Sequence, residues 1–112
     1  MTNPNEFLNK MVDIIIDKPI GSKHRYYNFT YLVNYGYVPN TKMPDGEELD
    51  VYLLGVYEPT DKFTGRCIAY IKRMNVDDDK LIVVPDGKDY SDEQIKALTE
   101  FRERNYETVI IR

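Results

Sequence analysis

Asp45, Glu47 and Asp50 place three carboxylates within six residues, and the turn signal Pro44-Asp45-Gly46 opens the cluster. From Leu49 the chain runs Leu-Asp-Val-Tyr-Leu-Leu-Gly-Val, rich in branched and aromatic residues, the composition of a mostly buried strand. The acids therefore sit where a turn enters a rigid strand. Acceptor-only side chains crowded at one strand end repel one another unless a cation sits among them. Ligands that are all oxygen, with no His or Cys beside them, suit Mg²⁺, Mn²⁺ or Ca²⁺ rather than zinc. The competing reading is a solvated acidic loop.

The neighbouring residues favour the first reading. Asn34-Tyr35-Gly36-Tyr37-Val38-Pro39 precedes the acids. Upstream stands Ile16-Asp17-Lys18-Pro19-Ile20-Gly21-Ser22-Lys23-His24-Arg25-Tyr26, and downstream Asp77-Asp78-Asp79-Lys80-Leu81-Ile82-Val83-Val84-Pro85. Together, in this order, the segments resemble the signature regions of the soluble family I inorganic pyrophosphatases. There an asparagine-tyrosine-glycine-aromatic run precedes a cluster of aspartates, and a D-x-K-L-x-x-V-P segment follows. The resemblance covers roughly residues 12 to 106.

The resemblance implies Mg²⁺-dependent hydrolysis of pyrophosphate, with Mn²⁺ as a substitute metal. Phosphoanhydride hydrolysis needs charge neutralisation and an activated water, and metals supply both. By motif position, Asp45, Asp50 and Asp78 would be the principal metal ligands, with Asp77 and Asp17 near them. The three principal acids are expected to converge within one metal's reach. Glu47 stands where the family orients or deprotonates the nucleophilic water. Lys80 and Arg25 would hold phosphate, and Tyr35 and Tyr106 would donate their hydroxyls to it. Each also has an ordinary explanation: a solvent-face Lys80, a surface Arg25, a core Tyr35, a solvated turn at Asp77-Asp78-Asp79.

Several positions depart from the family pattern. Glu47 replaces an aspartate, and its extra methylene moves the carboxylate by about 1.5 Å, enough in a positioned site to cost about 10²-fold. Arg25 replaces a lysine, and a guanidinium forks onto phosphate where an ammonium acts as a point charge. A family metal-binding aspartate falls near Asn75 or Asp77. Glu107 reverses the charge of a family lysine. A hairpin that carries a phosphate-binding arginine has no room between Tyr26 and Asn34. Two alternatives follow: a metal-dependent hydrolase of another small phosphoanhydride, or a module that binds metal and phosphate without turnover. An oligonucleotide-binding barrel has the aromatics for stacking but lacks a basic groove.

The totals bound these readings. A chain of 112 residues is expected to form a single domain over 1–112 with one core. A net charge of −4 with no basic tail argues against nucleic acid as the main partner. The single cysteine, Cys67, lies in an apolar run and reads as buried core in a reducing compartment. With no signal peptide and no long apolar span, the expectation is a soluble, cytoplasmic protein with no membrane partner. The family often assembles, and a Tyr- and Ile-rich surface is compatible with a homo-oligomer.

The elements that must position these residues are mostly strands. Val12–Ile16 reads as the first, ended by Pro19, Gly21 and Ser22. Tyr27, Phe29 and Tyr31 alternate, as in a short strand or extended segment. Leu49–Tyr57 reads as the central strand, Phe63–Arg73 as a long one with Gly65 at a bulge or close contact, and Leu81–Val84 as another. Ser91-Asp92-Glu93-Gln94 is a capping box opening a helix near residues 91 to 105, with Ile95, Leu98 and Phe101 on its apolar face and Arg102 and Arg104 at its C-terminal end. Val109–Ile111 reads as a terminal strand or docked tail. His24, the only histidine, reads as a surface residue. The fold class expected is mainly β, a small OB-like five-stranded closed barrel with one C-terminal helix. The OB type itself comes from the resemblance.

Overall fold

Alternation writes only one of the strands cleanly. In the first, β1 (Met11–Lys18), Val12, Ile14 and Ile16 are buried while Met11, Asp13 and Asp17 face out. The computed structural model describes residues 1–112. It continues with β2 (Asn34–Val38), β3 (Leu49–Leu53), β4 (Lys62–Arg73), β5 (Lys80–Val84), a helix α1 (Asp92–Glu103) and β6 (Thr108–Ile111). β1 pairs antiparallel with β2, β2 with β3, β3 runs parallel to β5, and β5 pairs antiparallel with β4. β4 returns to β1, closing a five-stranded mixed barrel. β6 extends the sheet beside the far half of β4.

β4 is twelve residues long because it serves three partners. Its first residues pair with β1, its last with β6 along the same edge, and its middle with β5 along the other. Gly65 sits where this strand crosses closely over β5: a Cβ there would lie 2.5 Å from the Val84 carbonyl oxygen, so the expected close contact is present. Gly36 is under tighter constraint still, since a Cβ would come 1.8 Å from the Ile15 carbonyl oxygen. The glycine of the Asn34-Tyr35-Gly36-Tyr37 run is thus required by the packing of β2 onto β1.

Strand parity divides the core in two. Leu49, Val51 and Leu53 of β3 join Leu81 and Val83 of β5 inside the barrel, with Val12, Ile14 and Ile16. Tyr52, Leu54, Ile82 and Val84 point the other way, onto a second layer with Tyr31, Val33, Tyr35 and Ile95 of α1. Each fully buried aliphatic side chain contributes about 1.5–3 kcal/mol, and two such layers order both faces of β3 and β5. The helix begins as expected: the Ser91 hydroxyl accepts from the Gln94 N–H at 3.1 Å while the Gln94 side chain accepts from the Ser91 N–H at 2.8 Å. Cys67 is buried inside the barrel, and burial pushes its thiol up to about 11.

Two expectations need correction. The alternating Tyr27, Phe29 and Tyr31 do not form a strand. Residues 21 to 31 fold back as a loop with one isolated bridge, Lys23 to Thr30. The strand lies next door at Asn34–Val38. The central strand also ends at Leu53, not Tyr57, because Gly55 turns the chain at φ +92°. No helix is long and apolar enough to cross a membrane.

Candidate functional site

The parallel register of β3 and β5 sets Asp50 directly beside Lys80. Parity turns both out of the barrel interior, toward the layer that carries Tyr35 and Tyr52. Lys80 is 1% exposed, and its Nζ donates to Asp50 Oδ2 at 2.6 Å and to Asp78 Oδ1 at 2.6 Å. Asp78 reaches back from the turn before β5, and its other oxygen accepts from Arg73 Nη1 at 2.7 Å. Arg73 also forks onto Glu103 of α1 at 2.9 and 2.8 Å, and Tyr52 donates its hydroxyl to the same carboxylate at 2.6 Å. One continuous network therefore runs Asp50, Lys80, Asp78, Arg73, Glu103, Tyr52, from the end of the barrel to the last turn of the helix.

The charges of this network fix one another. Burial alone would raise the Asp78 carboxyl, but the charges and hydrogen bonds of Lys80 and Arg73 outweigh it and hold Asp78 below the usual carboxylate range. Burial likewise opposes the ionised Glu103, and hydrogen bonds from Arg73 and Tyr52 bring it below that range. Burial and then the charge of Asp50 push the Tyr35 hydroxyl well above its ordinary value, so it stays a donor. That hydroxyl is buried beside Asp50 with no hydrogen-bond partner. Lys80 has spent two of its three N–H donors, so one N–H and the Tyr35 O–H are left to bind an incoming oxygen.

Beyond Asp50, Asp78, Lys80 and Tyr35, the expected site residues scatter. Asp45 lies on the exposed turn between β2 and β3, where its Oδ1 accepts from the Glu47 N–H at 2.9 Å. The Glu47 side chain is exposed and has no partner. Asp17 is exposed and paired with Lys18 at 3.0 Å. Asp77 is exposed on the turn before β5. Arg25 lies on the surface 5.7 Å from the ring centre of Tyr26. Tyr106 packs its ring 3.8 Å from the Arg73 guanidinium carbon. The convergence expected of Asp45 with Asp50 and Asp78 is not seen: no three acids meet at metal-binding geometry. In kind the donor set suits a hard divalent cation, being all oxygen. In arrangement only Asp50 and Asp78 are gathered, and the Lys80 ammonium stands between them.

Three features were missed from sequence. Arg73 and Glu103 carry no motif, and nothing local signals a pair 30 residues apart. Arg102, assigned to the helix C-terminus, instead turns into the aromatic layer: its Nη1 donates to the Tyr31 hydroxyl at 2.7 Å and its guanidinium lies 4.6 Å from the Tyr35 ring centre. His24 is half-buried rather than superficial, and its Nδ1 accepts from the N–H groups of Tyr26 and Tyr27 at 3.0 and 3.1 Å. Asn34 has a structural explanation: fully buried, it accepts from the Ile20 N–H and donates to the Val56 and Glu58 carbonyls, tying two loops to β2.

A family profile described as inorganic pyrophosphatase matches residues 7–110. A relative from Saccharolobus solfataricus, named inorganic pyrophosphatase, is 30% identical over 97 residues, covering 69% of this chain and 56% of its own. The chain thus spans little more than half the length of that relative. Among solved structures, an inorganic pyrophosphatase from Ehrlichia chaffeensis superposes with a TM-score of 0.69 at 17% identity, covering 90% of this chain and 84% of its own. One from Coxiella burnetii gives 0.65 at 21% identity, over 92% and 84%. At these identities the structures show the fold.

Proposed function

The chain belongs to the inorganic pyrophosphatase family, and on that premise we propose that it hydrolyses inorganic pyrophosphate to two phosphates with Mg²⁺ as cofactor. The observation that carries this is the Asp50–Lys80–Asp78 cluster, with the buried, unpartnered Tyr35 hydroxyl beside it. Asp50 and Asp78 are the carboxylates that would hold the cation, joined by Asp45 from the turn. A divalent cation, when bound, supplies neutralisation of phosphate charge and acidifies water. The remaining work falls to the chain. Lys80, fixed by two carboxylates, presents its third N–H to a phosphate oxygen, and Tyr35 adds a neutral donor. Glu47, exposed on the turn with its carboxylate free, is the candidate to take a proton from water. Arg25 and Tyr106 are further candidates for the substrate's outer oxygens. The same reading carries a single domain, a cytoplasmic setting and a homo-oligomer as expectations.

The test is phosphate release from pyrophosphate. It should require Mg²⁺ and should collapse in Asp50→Asn, where the amide keeps the shape but removes the charge that attracts the cation. Absence of release from pyrophosphate, triphosphate and nucleotides with Mg²⁺, Mn²⁺ and Co²⁺ would remove every hydrolase reading. A module that binds metal and phosphate without turnover is then the second reading. One observation favours it: Lys80 and Arg73 are each already bound to two carboxylates.

A further inference from the structure

Of the lysines and arginines that are not fully exposed, Lys18, Arg66, Arg73 and Lys80 each bind a carboxylate. Arg102 is the exception. Its one directed hydrogen bond goes to the Tyr31 hydroxyl, which leaves four N–H donors uncommitted. Aromatic faces surround it: Tyr35 at 4.6 Å, Tyr31 at 5.7 Å and Phe29 at 5.9 Å from ring centre to guanidinium carbon. These offset part of the cost of withdrawing the charge from water. They do not neutralise it.

The guanidinium lines a cavity of about 230 Å³ between the 21–31 loop and the end of α1. His24, Tyr27, Phe29, Asn105 and Tyr106 share its wall, and no acid does. His24 spends Nδ1 as an acceptor, so its neutral ring carries the proton on Nε2, a donor. Burial, then the charge of Arg102, lowers the His24 pKa and keeps it neutral. Two side chains lead from the cavity toward the Asp50–Lys80–Asp78 cluster: Tyr35 behind Arg102, and Tyr106 in the cavity wall against Arg73, the partner of Asp78. Tyr35 lies under Arg102 and 5.8 Å from Lys80 Nζ, and Tyr106 stacks on Arg73.

We infer that Arg102 is a substrate-binding residue, the centre of an anion subsite that takes a phosphoryl group of the phosphoanhydride. It supplies a forked cation where Arg73 is spent on carboxylates and Lys80 keeps a single free N–H. A planar guanidinium held by Tyr31 and the Tyr35 face is oriented before the anion arrives, which is what bidentate capture of phosphate needs. The identity of the anion rests on the phosphoanhydride reading above. The aromatic walls also admit an organic group carried on the phosphate.

The test reads Arg102 directly. In the ¹⁵N-labelled full chain, the Arg102 Nε–H resonance should shift saturably with inorganic phosphate and with pyrophosphate, while that of exposed Arg104, paired with Glu100 on the same helix, stays still. Arg102→Gln should weaken pyrophosphate binding about ten- to a hundred-fold, and Arg102→Lys should recover part of the loss. An Arg102 resonance that neither anion moves overturns the inference, even where the variants do not fold. So does a folded Arg102→Gln that binds pyrophosphate as the wild type does. Phosphate release from pyrophosphate is measured in parallel. A shift without release keeps the subsite and removes the hydrolase, and release without a shift does the reverse. An Nε shift at lower ADP than pyrophosphate concentration assigns a nucleotide, and the opposite order the inorganic anion.

Discussion

A buried cation and a half-buried one flank Tyr35 and are treated in opposite ways. Lys80 is closed in by Asp50 and Asp78, and through Asp78 by Arg73 and Glu103. Arg102 has rings for neighbours and no acid. The first arrangement anchors the barrel end to the helix, because every charge in it is answered by another. The second leaves a charge unanswered at a cavity. Burial alone therefore does not separate a structural cation from a binding one; the partner does.

The largest expected effect falls on the closed network. Arg73→Met strands Glu103 and Asp78 without their partner and should lower stability by about 3–5 kcal/mol, measured as a shift in denaturant midpoint at unchanged slope. Acid should act on the same network. Asp78 and Glu103 titrate below their ordinary range, so their contribution is fully present above about pH 4 and is lost as pH falls through their folded values. Unfolding midpoints of the wild type should drop steeply there, and Arg73→Met should show a shallower slope. Arg102→Met should alter the acid slope much less than Arg73→Met does, since Arg102 bonds no carboxylate and its charge ranks last among the causes that hold Asp78 down. It should cost only about 1–2 kcal/mol for the Tyr31 hydrogen bond and the ring contacts. An acid slope altered by Arg102→Met as much as by Arg73→Met would break the distinction between the two cations.

The smallest effect belongs to the turn. Glu47→Asp should leave stability within about 0.5 kcal/mol, because the Glu47 side chain contacts nothing and only its backbone braces the turn. If pyrophosphate is hydrolysed, kcat should not fall, since nothing has been rebuilt around the longer carboxylate. A ten- to hundred-fold loss, on the scale of about 10²-fold for misplacement, would mean that the turn closes over substrate.

The sequence exposed what local pattern can expose. β1 alternates, the helix carries its capping box, and Asp50, Asp78 and Lys80 stand in ordered motifs. β2 escaped because both of its faces are buried: Asn34, Tyr35, Gly36 and Val38 leave no alternation to read. Tyr27, Phe29 and Tyr31 imitated a strand by their spacing, but only the rings of Phe29 and Tyr31 fill the layer under α1, a demand of packing that a loop can meet as well, and Tyr27 is exposed. Arg102 was hidden by a sufficient local explanation, since a basic residue in the last turn of a helix complements the helix dipole whichever way it points. Its direction depends on Tyr31 and Tyr35, some 70 residues earlier, the first of them the donor's partner across a separation of 71.

The route of β4 has a consequence for how the chain reaches this shape. β1 closes the barrel only against residues 62 to 66, and β3 finds its parallel partner only at residues 80 to 83. As the chain leaves the ribosome, β1, β2 and β3 have only one another; the β1 edge stays open until residues 62 to 66 have appeared, and the β3 edge until residues 80 to 83. Pairings so distant in sequence form slowly, and open edges of this composition pair readily with other chains. The vulnerable species in this protein's life is the half-made barrel, and β4 begins to end that exposure by covering β1 and preparing the place for β5, which covers β3.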